Sequence, residues 1–75
     1  MMNDLQKSVI IALAQNDMSV TRTAKAMHYH HNNILYHTEH IYQQTGLNPR
    51  NFFDMIKLYD MATKEVQGDG NKENL

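Results

Sequence analysis

The chain has no cysteine, no long apolar run and no excess of positive charge. Without cysteine, neither a disulfide framework nor a thiolate metal site can stabilise so short a sequence. The longest apolar run covers only residues 9–14, whereas a membrane span needs about 20 apolar residues. The N-terminus also lacks the basic and then apolar segments of a signal peptide. These absences predict one small cytoplasmic domain held together by helix packing.

The missing positive charge bears directly on possible partners. Seven lysines and arginines against eight acidic residues give a net charge of −1, which counts against a nucleic-acid-binding protein. All five histidines, however, lie between His28 and His40, where Glu39 is the only acid. Protonation of all five would bring the net charge to +4. Because histidine titrates near pH 6.5, we expect any anion binding in this segment to depend on pH.

Apolar residues recur at helical spacing along most of the chain, and no segment shows the alternation of a strand. Helices are therefore predicted at about residues 4–15, 19–27, 30–45 and 49–66. Residues 67–75 are polar, include two glycines and have no side chain suited to burial, so we predict a disordered tail there. The predicted fold is a small all-α domain of four helices over residues 1–66.

Short polar residues mark the ends of the first two helices. Asn3 or Asp4 can cap the first helix and Ser19 can cap the second, because their side-chain oxygens accept from unpaired backbone N–H groups. Asn16 and Asp17 are expected to end the first helix, since asparagine tolerates the left-handed conformation found at helix ends.

The second and third predicted helices are joined by only about three residues, 28–30. So short a connection forces a steep angle between the helices, as in a helix-turn-helix unit. Along the third helix, Ile34, Thr38 and Ile41 fall on one line. The opposite arc carries amides, imidazoles and a phenol: Asn32, Asn33, Tyr36, His40 and Gln43, with His37 and Gln44 at its edge. Such a face suits a polar, anionic partner.

The fourth predicted helix has two candidate starts. Asn48-Pro49 combines a capping residue with proline at the first helical position, and Asn51 offers a start two to three residues later. The apolar face of this helix is broad, with Phe52, Phe53, Ile56, Tyr59 and Ala62 flanked by Met55, Leu58 and Met61. We expect it to pack on the first helix and also to meet a second copy of the chain.

Residues 18–47 resemble the C-terminal helix-turn-helix domain of the PucR/CdaR family of bacterial transcription regulators. The likeness rests on Thr23, Ala24, Met27, His30, Asn32, Ile34, Tyr36, Ile41, Thr45, Gly46 and Leu47, and extends more loosely over residues 5–63. It implies a DNA-binding function. The family pattern has glycine in the turn where this chain has His28, and arginine where it has His31 and His37.

Together these features predict a sequence-specific DNA-binding transcriptional regulator that uses helix 30–45 as its recognition helix on the nucleoid. The residues expected to enter the groove are Asn32, Asn33, Tyr36 and His37. Those expected to contact phosphate are Thr21, Arg22, His30, His31 and His40. A homodimer on double-stranded DNA is expected, because one such unit contacts too few base pairs for useful specificity.

Other functions have weaker support in the sequence. His37 and His40, with His30 one turn back, could share a metal ion, but no cysteine or nearby aspartate completes the ligand set. No catalytic serine or cysteine triad and no glycine-rich phosphate loop is visible, so we expect neither an enzyme nor a cofactor. The main alternative is a protein-interaction module that keeps the helix-turn-helix framework but has lost DNA binding.

Overall fold

The computed structural model describes the backbone of residues 2–73 and the side chains of residues 2–64. Its four helices are α1 (Asp4–Gln15), α2 (Val20–Met27), α3 (His31–Thr45) and α4 (Phe52–Glu73), and the described residues contain no strand. The all-α prediction is confirmed, and the bounds of the first three helices agree with the expected ones to within one residue.

The predicted caps of α1 and α2 are present. Asn3 Oδ1 accepts from the Gln6 backbone N–H at 2.7 Å, and Gln6 Oε1 accepts from that of Asn3 at 2.9 Å, which forms a reciprocal capping box. Ser19 Oγ accepts from the Arg22 backbone N–H at 3.1 Å. Each bond satisfies a backbone donor that the helix itself leaves unpaired.

The end of α1 differs in detail from the prediction. Asn16 is not left-handed (φ −113°); the left-handed residues are Asp17 and Met18, with φ of 58° and 61°. The Asn16 amide instead donates to the Ala12 carbonyl at 2.8 Å, and the Met18 N–H donates to the Leu13 carbonyl at 2.7 Å. These bonds satisfy carbonyl groups at the helix end. The positive φ values therefore fall on Asp17 and Met18, one residue later than expected.

The fourth helix begins at the later of its two candidate starts. Asn51 Oδ1 accepts from the Asp54 backbone N–H at 3.0 Å, so Asn51 caps α4 and the start at residue 49 is wrong. Asn48 is held in the preceding loop, where its N–H donates to Asp54 Oδ2 at 3.0 Å. The helix runs on to Glu73, past the expected end at residue 66. The tail predicted at 67–75 stays a prediction, because those side chains and residues 74 and 75 lie outside what is described.

Two apolar clusters fix α3 in place. The larger joins α1 and α4 to α3, with Val9, Ile10, Leu13, Ile41 and Leu58 almost completely buried. The smaller lies between α2 and the first half of α3 and contains Val20, Ala24 and Ile34. Met27 packs against both. The line of α3 residues predicted to face the core is therefore buried at both ends, at Ile34 and at Ile41. The opposite side of the helix faces solvent.

None of the helices in the described part of the chain has the length and hydropathy that a bilayer span would need.

Candidate nucleic-acid interface

The turn between α2 and α3 depends on His28. This residue is left-handed, with φ 60° and ψ 38°, the conformation that glycine usually supplies at a helix end. Beyond it, the Tyr29 N–H donates to the Ala24 carbonyl at 2.8 Å. Histidine therefore occupies the turn position in the geometry that a glycine would adopt, and only three residues lie between the end of α2 and the start of α3.

His30 caps α3 with its side chain. Its Nδ1 accepts from the Asn32 backbone N–H at 3.1 Å. Because Nδ1 acts as the acceptor, the proton of the neutral ring resides on Nε2. That nitrogen belongs to an exposed side chain and can donate to an anion. The sequence located the start of the helix here, but histidine is not a preferred cap, so this role was missed.

The exposed face of α3 is termed the histidine surface and comprises His30, His31, Asn32, Asn33, Tyr36 and His40, all of which are exposed. Tyr36 is 59% exposed although it is a large aromatic residue. Its ring centroid lies 4.4 Å from that of His40 and 5.5 Å from that of His37. The second half of this surface is thus a contiguous group of rings with hydrogen-bonding edges.

His37 is less available than expected. It is half-buried, and its ring centroid lies 6.3 Å from that of Tyr29 in the turn. The structure places it between Tyr29 and Tyr36, at the border of the histidine surface. A contact with a base would have to be made by the exposed edge of this ring.

Two further polar residues lie along the same face of α3. Glu39 and Gln43 follow Tyr36 at helical spacing and are exposed, and Glu39 Oε2 accepts from Gln43 Nε2 at 3.2 Å. The helical pattern predicted Gln43 on this arc but not among the DNA contacts, and Glu39 stood out in the sequence only as the one acid of the segment. Glu39 follows Asn32 and Tyr36 at helical spacing, and this spacing would have placed Glu39 on the exposed face of the helix.

The basic residue expected at the start of α2 is paired. Thr21 and Arg22 are both exposed, and Arg22 Nη1 lies 2.9 Å from Asp17 Oδ2, with the side chains 61% and 79% exposed. The carboxylate offsets part of the guanidinium charge, while the other donors of Arg22 stay available. Thr21 and Arg22 lie on α2, so they are not part of the histidine surface itself.

No three acidic, histidine or cysteine side chains among the described residues converge closely enough to hold a metal ion. His37 and His40 contact Tyr36 instead.

Comparison with known families gives a match over most of the chain. The sequence model described as the PucR C-terminal helix-turn-helix domain matches residues 8–61. This stretch is most of the chain, and it includes α2, the turn, α3 and all nine residues predicted to contact DNA. No curated protein and no solved structure is detectably similar to the chain.

Proposed function

This chain belongs to the family of PucR C-terminal helix-turn-helix domains, and we propose that it is a sequence-specific DNA-binding transcriptional regulator whose recognition helix is α3. The observation that carries the proposal is the division of α3 into two faces. Ile34 and Ile41 are fully buried while Tyr36 is mostly exposed. A large ring and several imidazoles facing solvent beside a helix-turn-helix turn are suited to a groove of DNA.

Base contacts would come from the first half of α3. In helix-turn-helix proteins the N-terminal residues of the second helix meet the base edges. Asn32 and Asn33 lie in that first turn, and an asparagine amide can pair with the N6 and N7 atoms of adenine. Tyr36 and His37 follow one turn later and would donate to acceptors on neighbouring bases.

Phosphate contacts would flank these base contacts. His30 presents Nε2 outward because its Nδ1 caps the helix, so even the neutral ring can donate to a phosphate oxygen. His31 and His40 would add charge when protonated. Thr21 and Arg22, on α2, would contact the phosphate backbone of the DNA.

A homodimer is the second part of the proposal. Phe52, Phe53 and Ile56 on α4 are 61%, 71% and 52% exposed, and Tyr59 is 38% exposed; these four residues are termed the aromatic surface. Contiguous apolar exposure of this kind is typical of an association site. Two copies would also present two recognition helices to two half-sites. Such a regulator would act on the nucleoid in the cytoplasm.

DNA binding is tested by fluorescence anisotropy of a labelled random-sequence duplex at pH 6 and pH 7.5 and at two salt concentrations. Binding should weaken as salt rises, because the release of counterions from DNA favours binding less at high salt. It should strengthen at pH 6, because histidines gain charge. The double variant His31→Gln/His40→Gln should lose much of the pH dependence. No binding at either pH by protein that is helical by circular dichroism would contradict the proposal and favour the protein-interaction alternative.

The dimer is tested by light scattering over a range of protein concentrations. The wild-type mass should approach twice that of the monomer as concentration rises, and Phe53→Glu should remain monomeric while keeping its helical signal. A monomeric mass for the wild type at high concentration would contradict the homodimer. Lys64→Gln, farther along α4, lowers the net charge by the same single unit and is the matched control.

A further inference from the structure

A polar groove beside α3 has no role in the function proposed above. One side of α3 and the loop before α4 enclose about 340 Å³. Its lining consists of Leu35, Thr38, Glu39, Tyr42, Asn48 and Arg50. The groove borders the histidine surface at Glu39, which lies three residues after Tyr36 and bonds to Gln43 on the same face.

The loop that carries Arg50 is fixed by specific bonds. Pro49 is completely buried, and Asn48 Oδ1 accepts from the Arg50 backbone N–H at 2.9 Å. Asn48 is itself tied to α4 through Asp54. The backbone of Arg50 is therefore anchored by Pro49 before it and by the Asn51 cap after it, so its position beside α3 is set by the fold.

The guanidinium of Arg50 has no hydrogen-bonding or ionic partner among the described residues, and the residue is exposed. Arg22, by contrast, is paired with Asp17. Arg50 thus brings an arginine without a bonded partner alongside α3, whose exposed face carries histidines.

We propose that Arg50 contacts a backbone phosphate of the DNA bound by α3, so that the phosphate contacts come from the loop after α3 as well as from α2. This inference rests on the proposed DNA-binding function. Arginine is well suited to the contact because its planar fork can bond two phosphate oxygens at once. Glu39 lines the same groove and offsets part of the Arg50 charge, so a dissolved anion should bind there only weakly. The phosphate must be held in place by the other DNA contacts.

The test compares Arg50→Gln with Arg50→Lys and with the control Lys57→Gln, which removes an exposed charge from α4. Each is titrated against random-sequence duplex at several salt concentrations. Arg50→Gln should lower affinity about three- to tenfold and reduce the slope of log K against log salt by about one, as expected for one lost phosphate contact. Arg50→Lys should keep the wild-type slope, and Lys57→Gln should match the wild type.

The outcomes separate this inference from the proposed function. If the wild type binds DNA and Arg50→Gln keeps both its affinity and its salt slope, the Arg50 contact is wrong while DNA binding stands. If the wild type does not bind, the proposed function itself fails. Replacing chloride by inorganic phosphate at constant ionic strength should affect wild type and Arg50→Gln equally. Stronger inhibition of the wild type would show that dissolved phosphate competes with DNA for Arg50, which would contradict the requirement for a phosphate held in place on DNA. Circular dichroism confirms that each variant is folded.

Discussion

The outward faces of α3 and α4 differ in chemistry although both helices are anchored in the same core. Ile41 of α3 and Leu58 of α4 are both fully buried in the larger cluster. Outward, α3 presents imidazoles, amides, a phenol and the single carboxylate of Glu39, whereas α4 presents Phe53 and Ile56. A hydrated polyanion suits the first face, and removal from water stabilises the second.

This difference would allow one short domain to serve the two kinds of partner proposed for it. The core that determines the fold uses one side of each helix and leaves the other side without a packing role. Substitutions on the two outer faces should therefore affect different measurements, DNA affinity for α3 and association for α4. Substitutions on the inner faces should affect stability in both helices.

The largest effect should come from the inner face of α3. Ile41 is completely buried, and Ile41→Ala should lower the free energy of unfolding by about 2–5 kcal/mol through lost transfer energy and a cavity. In a domain this small such a loss could remove most of the folded population. Ile56→Ala, at a position that is 52% exposed, should change the unfolding free energy of the monomer little. Urea denaturation followed by circular dichroism at low protein concentration measures both. Similar losses for the two variants would contradict the separation of inner and outer faces.

The next effect concerns sequence selectivity. Asn32→Ala should relax base preference at one position of the site and cost about 1–3 kcal/mol of binding free energy on the preferred sequence. Lys64→Ala on α4, an exposed residue paired with Asp60, serves as the control and should keep the wild-type preference. Selection of binding sites from a random pool gives the measurement. A variant with unchanged selectivity would remove Asn32 from the residues proposed to contact bases.

Much of the scaffold could be predicted from short-range patterns. Caps such as Asn3 and Ser19 and the helical spacing of apolar residues located α1, α2 and α3, because these signals involve neighbours within one or two turns. The exposure of Tyr36 followed from its place outside the apolar arc.

What escaped prediction depends on backbone conformation between helices. Two consecutive left-handed residues other than glycine, Asp17 and Met18, bring the Asp17 carboxylate to Arg22, and no sequence pattern indicates such a turn. The groove at Arg50 likewise depends on the path of the loop after α3. The capping role of His30 was missed because histidine rarely fills it.

A smaller effect should follow from release of Arg22. Asp17→Asn removes the carboxylate that lies 2.9 Å from Arg22 Nη1, and asparagine tolerates the left-handed backbone at this position. Affinity for every DNA sequence should rise by about two- to fivefold at low salt. Arg22→Ala should lower affinity for every sequence and flatten the salt slope. An unaltered slope would mean that Arg22 makes no phosphate contact.

Asp60→Asn is the matched control for the released arginine. It makes the same change in net charge and frees Lys64, which lies 3.4 Å from Asp60 on α4. If it raises affinity as much as Asp17→Asn does, then net charge rather than the position of Arg22 determines the effect. Anisotropy titrations at several salt concentrations compare the four proteins.

The smallest effect concerns the turn itself. His28 is left-handed at φ 60°, which costs a side-chain-bearing residue about 1–2 kcal/mol. His28→Gly relieves that cost but adds freedom to the unfolded chain, so the net gain in unfolding free energy should be at most about 1 kcal/mol. The reverse change, Gly46→Ala at φ 77°, introduces a Cβ with no atom within 4 Å and should therefore destabilise through backbone conformation alone. Thermal melts measure both. DNA affinity should be unchanged in His28→Gly, because the turn keeps its geometry; a loss of affinity would instead place the His28 ring among the DNA contacts and extend the histidine surface into the turn.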